Sequence, residues 1–200
     1  MSALPLVFIS GWASGINCYA AVAVLGLLGR FGHLPGVPPA LERPDVLAVA
    51  AVLFAGQFVA GKIPYLDSAW DVAHTAVRPV VGGAIGALMA HQAHGSWAQA
   101  AAAAAIGAGA SLLAHLGKTG VRMGVNASPE PVSNSAASVL EDLSVTGMVA
   151  FGLLAPVAAA VLAAVLLLLS LLAAALLARR IRRAWRNRHT RPRARRLSVS

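Results

Sequence analysis

The stretch LSVTGMVAFGLLAPVAAAVLAAVLLLLSLLAAALLA, residues 143–178, holds no charged residue over 36 positions. A bilayer's hydrocarbon core, about 30 Å thick, takes roughly 20 apolar residues in a helix. As one straight helix the stretch would be about 54 Å long, so something must interrupt or extend it. Pro156 marks the interruption, because proline lacks an amide hydrogen and its ring clashes with the carbonyl four residues back. Residues 157–178 are long enough to span alone, and the part before Pro156 then reads as a half-helix that enters without crossing.

Outward from this stretch, further uncharged runs cover residues 4–29, 46–61 and 97–117, and residues 72–90 join them if His74 and Arg78 are tolerated. With 58% hydrophobic and 12% charged residues and a mean hydropathy of +0.72, the chain is bilayer-embedded. Only helices and closed barrels satisfy backbone groups in lipid, and alanine-leucine runs without period-two alternation exclude the barrel. The expected fold is an all-α, multi-pass transmembrane protein of about five spans, near residues 4–29, 46–62, 68–90, 97–118 and 143–178. No basic residue precedes Arg30, so the first run is read as a retained span and not as a secretory signal.

The net charge of +9 is concentrated. Ten of the sixteen Lys and Arg residues lie in RRIRRAWRNRHTRPRARR, residues 179–196, while the remaining six face seven acidic residues. The expected division is a transmembrane domain over residues 1–178 and a basic cytoplasmic tail over residues 179–200, in the inner (plasma) membrane. Five spans then place the connections at 62–67 and 118–135 outside, and the Pro/Gly-rich connection at 31–45 inside. The expected partners are the lipid bilayer, anionic headgroups at the tail and a second copy of the chain. Nucleic acid is not expected, because no folded or aromatic-rich reader accompanies the charge. A single cysteine, Cys18, permits no internal disulfide.

Polar residues gather in KIPYLDSAWDVAHTAVRP, residues 62–79. On a helix beginning at Ser68, Asp71, His74 and Arg78 share one face, at spacings of three and four. Ser68 with Asp71 fits a capping box, and Ser138 with Glu141 repeats it. Setting Pro64 against Pro131 aligns PYLDSAWDVAHT with PVSNSAASVLED, so that Asp67 faces Asn134. Each copy precedes a proline-interrupted span, at Pro79 and Pro156. The pattern suggests a pseudo-repeat of two helical hairpins, with a transporter-type site at their interface.

The candidate polar cavity comprises Asp67, Asp71, His74, Arg78, Lys118, Arg122, Glu130, Asn134 and Glu141, with Asp142 as a further acidic group. Ionisable groups at membrane depth cost several kcal/mol unless paired or hydrated, which makes them functional candidates. No metal site is expected: Asp67, Asp71 and His74 form one face without convergent ligands, and His91, His94 and His115 have no evident tie to it. His115 is placed near a helix end. No nucleophile with a base, phosphate loop or dinucleotide loop points to an enzyme, and no cofactor is implied. Trp12, Trp70, Trp97 and Trp185 read as interface anchors. Gly11 and Gly15, Gly82, Gly83 and Gly86, and Gly107 and Gly109 read as close-packing faces. For SGWASGIN, residues 10–17, an alternative is a break in the first helix that turns backbone carbonyls to a cavity.

KIPYLDSAWDVAHTAVRP, together with NASPEPVSN (residues 126–134) and LED (residues 140–142), resembles the bacterial membrane family catalogued as domain of unknown function 4126, over residues 11–154. The resemblance implies a multi-pass membrane fold. The family pattern often carries acidic residues where Gln57 and Gly61 stand here, so no role of carboxylates at those positions carries over. Two functions remain in view: a small transporter or channel for an ion or polar solute, and a non-transporting protein in which the polar motif is a cap-and-salt-bridge lock that organises lipids or partners.

Overall fold

The computed structural model describes residues 3–126 and 131–189, without the side chains of residues 64–65, 67–68, 124–126, 131–134, 184 and 187–189. The described residues form six α-helices and no strand: α1 (Leu4–Gly32), α2 (Pro44–Ala60), α3 (Pro64–Gln92), α4 (Trp97–Asn126), α5 (Pro131–Leu154) and α6 (Pro156–His189). A short 3-10 turn, Pro39–Glu42, precedes α2. By length and composition α1, α3, α4, α5 and α6 are each able to cross a membrane, and α2 is a shorter apolar helix. The all-α, multi-pass reading therefore holds, while the spans themselves are redrawn.

The first change is in α1. Its backbone leaves helical geometry at Asn17, with φ −149° and ψ 98°. Asn17 Oδ1 accepts the amide hydrogen of Ala20 at 3.0 Å, the arrangement of an N-cap residue starting a new helix. A straight helix over these 29 residues would be about 43 Å long. Yet a Cβ on Gly36 would lie 3.2 Å from Leu6 Cδ1, and Ala3, Leu6, Pro35 and Gly36 share one cavity. The two arms of α1 thus fold back at Asn17, and both ends lie at the same face.

The second change is at Pro156. The uncharged run is two helices, not one kinked span, and α5 starts twelve residues before the uncharged run does, at Pro131. The part before Pro156 is accordingly no half-helix. Leu153 and Pro156 share the cavity of Leu6 and Met89, while Ser170 and Ala174 of α6 contact Gly117 and Gly120 of α4. The chain reverses at Ala155, and α6 runs parallel to α4.

These contacts fix the relative faces. The turn after α3, residues 93–96, lies with Leu6 and Gly36 on one side. On the other side Gly61 meets Ser138 of α5. Because α6 starts on the first face and runs with α4, its basic end emerges on the face of the α2–α3 and α4–α5 connections. The sequence reading had those connections opposite the tail. The reversal follows from α1, whose two ends lie on one face.

Close packing follows the glycines. Gly11 of α1, Gly107 of α4 and Gly82 of α3 meet at one crossing, where a Cβ on Gly11 would lie 2.9 Å from Gly107 Cα. Small residues allow such an approach in lipid, where dispersion replaces the hydrophobic drive. Trp12 is 3% exposed in the core and so is no interface anchor, whereas Trp70 is half-buried and Trp97 and Trp185 are exposed. α6 is the most lipid-facing helix: Leu168, Leu169 and Leu172 are exposed, and the helix continues through the start of the basic tail to His189.

Candidate functional site

The break in α1 leaves carbonyls without helical partners. Arg78 Nη1 donates to the Gly15 carbonyl at 3.2 Å and Lys118 Nζ to the Ile16 carbonyl at 3.1 Å. Cations at a helix C-terminus complement its dipole. Ser14 adds a hydroxyl bond to the Arg78 carbonyl at 3.0 Å, which holds the first arm against α3. The break allowed by SGWASGIN is thus observed, with its carbonyls bonded to Arg78 and Lys118 and not open to a cavity, and the close packing of Gly11 and Gly15 coexists with it.

Around this break lies a network of ion pairs. Asp71 Oδ1 accepts from Arg78 Nη2 at 2.9 Å and stands 3.5 Å from Lys118 Nζ. Lys118 Nζ also stands 3.2 Å from Glu141 Oε2, and Arg122 Nε donates to Glu141 Oε1 at 2.8 Å. Arg78 is fully buried, and Asp71, Lys118 and Arg122 are each buried as well. Removing one partner from such a pair leaves an uncompensated charge in low dielectric, which is why the pairs must be nearly complete.

Two histidines complete the network, each with its tautomer set by its neighbours. His74 Nδ1 lies 2.7 Å from the Trp70 carbonyl, which can only accept, so Nδ1 carries the hydrogen and Nε2 accepts from the Tyr19 hydroxyl at 2.8 Å. The Trp70 ring stacks on His74 with centroids 4.9 Å apart. His115 Nδ1 lies 2.7 Å from Arg78 Nη1, which can only donate, so the hydrogen sits on Nε2 and is offered to Thr75 Oγ1 at 3.1 Å. Thr75 in turn donates to the Asp71 carbonyl at 3.1 Å.

A cavity of about 10 Å³ opens among Gln57, Gly61, Trp70, Asp71, Arg78, Lys118, Arg122, Ser138, Glu141 and Asp142. That is room for about one water. The two motif copies face each other across it. Ser138 and Glu141 hold the positions of Asp71 and His74 in the alignment, and Pro64 and Pro131 each open a helix. Pro79 does not interrupt α3, which continues through it.

Of the sequence-predicted residues, Asp71, Arg78, Lys118, Arg122 and Glu141 converge directly, and His74 lies beside them on α3, bonded to Tyr19 and to the Trp70 carbonyl. The side chains of Asp67 and Asn134, and Glu130 entirely, lie outside the described residues. The capping-box reading fails for Asp71 and Glu141, because proline at the first helical positions starts α3 and α5 a full turn or more earlier. Both carboxylates are free to bind cations. His115 corrects another expectation: it is buried within α4 and bonded to Arg78, not at a helix end. Its signal was present in the spacing, since His115, Lys118 and Arg122 repeat the intervals of Asp71, His74 and Arg78. Asn17 and Tyr19 carried no comparable pattern, because their role depends on α1 folding back.

No curated protein and no solved structure matches the chain. The family model described as Domain of unknown function (DUF4126) matches residues 4–176, which takes in the folded-back α1, both motif copies and every described member of the charge network, and the chain belongs to that family.

Proposed function

We propose that the protein moves an ion or small polar solute across the membrane, with the charge network as its binding centre in a closed state. The observation that carries this reading is the break of α1 at Asn17, whose freed carbonyls meet Arg78 and Lys118. Discontinuous helices whose ends meet buried charges are how transporters build solute sites at mid-membrane. Apolar residues of equal volume often hold helices together as well as buried ion pairs do, so stability alone does not call for six buried ionisable groups. The basic C-terminus faces the cytoplasm in this reading, in an inner (plasma) membrane. At the opposite face Arg43 pairs with Asp45 and Arg30 donates to the Glu42 backbone carbonyl; two basic and two acidic residues balance there, so the positive excess lies with α6. The tail rests on anionic headgroups.

The small cavity and the saturated ion pairs favour a second reading, a sealed lock that holds the helices together. Thiol-accessibility scanning separates the two. With Cys18 replaced by serine, single cysteines along residues 69–79 and 135–142 are exposed to a membrane-impermeant reagent. A labelled stripe through Asp71, His74 and Arg78 supports the solute path. Labelling confined to the helix ends assigns the lock.

A further inference from the structure

Asp142 stands apart from the other carboxylates of the network. Asp71 and Glu141 take up Arg78, Lys118 and Arg122, whereas Asp142 pairs with no cation among the described residues. Its Oδ1 accepts from Asn17 Nδ2 at 2.8 Å, and its Oδ2 is buried without a partner among the described residues. A buried carboxylate oxygen without donor or cation is costly while ionised, and a proton removes the cost.

An acceptor for that proton lines the same cavity. Gln57 is 7% exposed, and its Oε1 is buried and unpartnered. Gln57 and Asp142 both line this cavity of about 10 Å³. One hydrogen held directly between the two oxygens satisfies both acceptors, whereas a water donating to each would leave Asp142 ionised.

We infer that Asp142 is the proton-binding group of this site: its carboxylate takes a proton from solvent on Oδ2, forming an O–H that donates toward Gln57 Oε1. The charged and titratable groups that surround it are Asp71 and Arg78 from α3, Lys118 and Arg122 from α4, Glu141 beside it on α5, and Lys62 in the α2–α3 connection. Lys62 Nζ is turned over the Phe58 ring at 3.3 Å. α1 presents Asn17, and no residue of α6 lines the cavity. The consequence reaches the break of α1, because Asn17 joins Asp142 through its amide nitrogen and caps the second arm through its amide oxygen. A proton on Asp142 weakens the acceptor that Asn17 holds, so the turn of α1 senses it. The inference rests on the solute-moving reading only for its purpose, since proton binding is measured without flux.

The test is infrared difference spectroscopy of the full chain in lipid across a pH series, at constant sodium and again without sodium. Expected is a protonated-carboxyl C=O band that grows as pH falls, disappears in Asp142→Asn, and moves to higher frequency in Gln57→Leu, which removes the acceptor. Asp142→Asn keeps the shape of the side chain and its amide oxygen for Asn17; if it fails to fold, the shift in Gln57→Leu still decides. A band absent at every pH would mean that Gln57 turns its amide nitrogen to an ionised Asp142, and would overturn the inference. So would a band that persists in Asp142→Asn, one indifferent to Gln57→Leu, or one suppressed by sodium, which would assign the space to a metal cation. Absence of solute flux with the band intact would sink the transport reading alone.

Discussion

At the residue scale, Arg78 carries the largest electrostatic responsibility. Its guanidinium serves Asp71, His115 and the Gly15 carbonyl from a fully buried position. Arg78→Ala would strand Asp71 with Lys118 alone and leave the carbonyl unpaired. Breaking a buried pair costs about 3–5 kcal/mol, and a loss of that size is expected in reversible denaturant unfolding in micelles. Asn17 offers a milder test. Asn17→Ala removes the cap of the second arm and is expected to cost about 1 kcal/mol by the same measurement. Asn17→Asp keeps the cap but sets a second carboxylate against Asp142, so its deficit should shrink as pH falls.

At the scale of elements, the crossing of α1, α3 and α4 depends on hydrogen where other residues carry a side chain. A Cβ on Gly107 would overlap the Gly82 carbonyl, and its Cα is what Gly11 packs against. Gly107→Val is therefore expected to force the three helices apart, with loss of the monodisperse peak in size-exclusion chromatography. Gly109, two residues along, has open space where a Cβ would stand. Gly109→Ala should leave that peak unchanged and gain slightly from higher helix propensity. An equal effect of both substitutions would mean that α4 is not seated on this face. The helices themselves were legible from hydropathy and length, because period and composition are local properties. The Pro64 and Pro131 starts were not chosen over Ser68 and Ser138, since a capping box and an N1 proline are both sound start signals and only the extent of the helix decides between them.

At the scale of the molecule, the fold-back of α1 sets the sidedness of every later segment. Single cysteines at His33 and His94 should be labelled from one face, and cysteines at Ile63 and Arg186 from the other, in vesicles of known orientation. Labelling of a cysteine at Ala3 from the face opposite His33 would mean that α1 crosses, and would remove the hairpin. An all-helical, multi-pass chain is legible in the sequence, although hydropathy alone counts α1 as a crossing and joins α5 to α6. The error has a physical source: a 29-residue apolar helix satisfies the length criterion whether it crosses or doubles back. The reversal depends on one residue whose alternative conformation hydropathy does not register.

The sequence by itself determined the solvent and the secondary structure of this protein, because an apolar chain in lipid must bond its own backbone and can do so only as helices. It also determined that Asp71, His74 and Arg78 share a face and must turn from lipid, since helix periodicity and the cost of exposed charge are both local. Tertiary structure alone decided which charges meet. That His115 bonds Arg78 depends on α3 packing against α4, and that Lys118 reaches the carbonyl of Ile16 and Asn17 holds Asp142 depends on α1 doubling back among the other helices. Those contacts join residues as far as 125 positions apart. A hydrogen bond of that kind follows from the packing of whole helices, and the spacing along the chain carries no record of it.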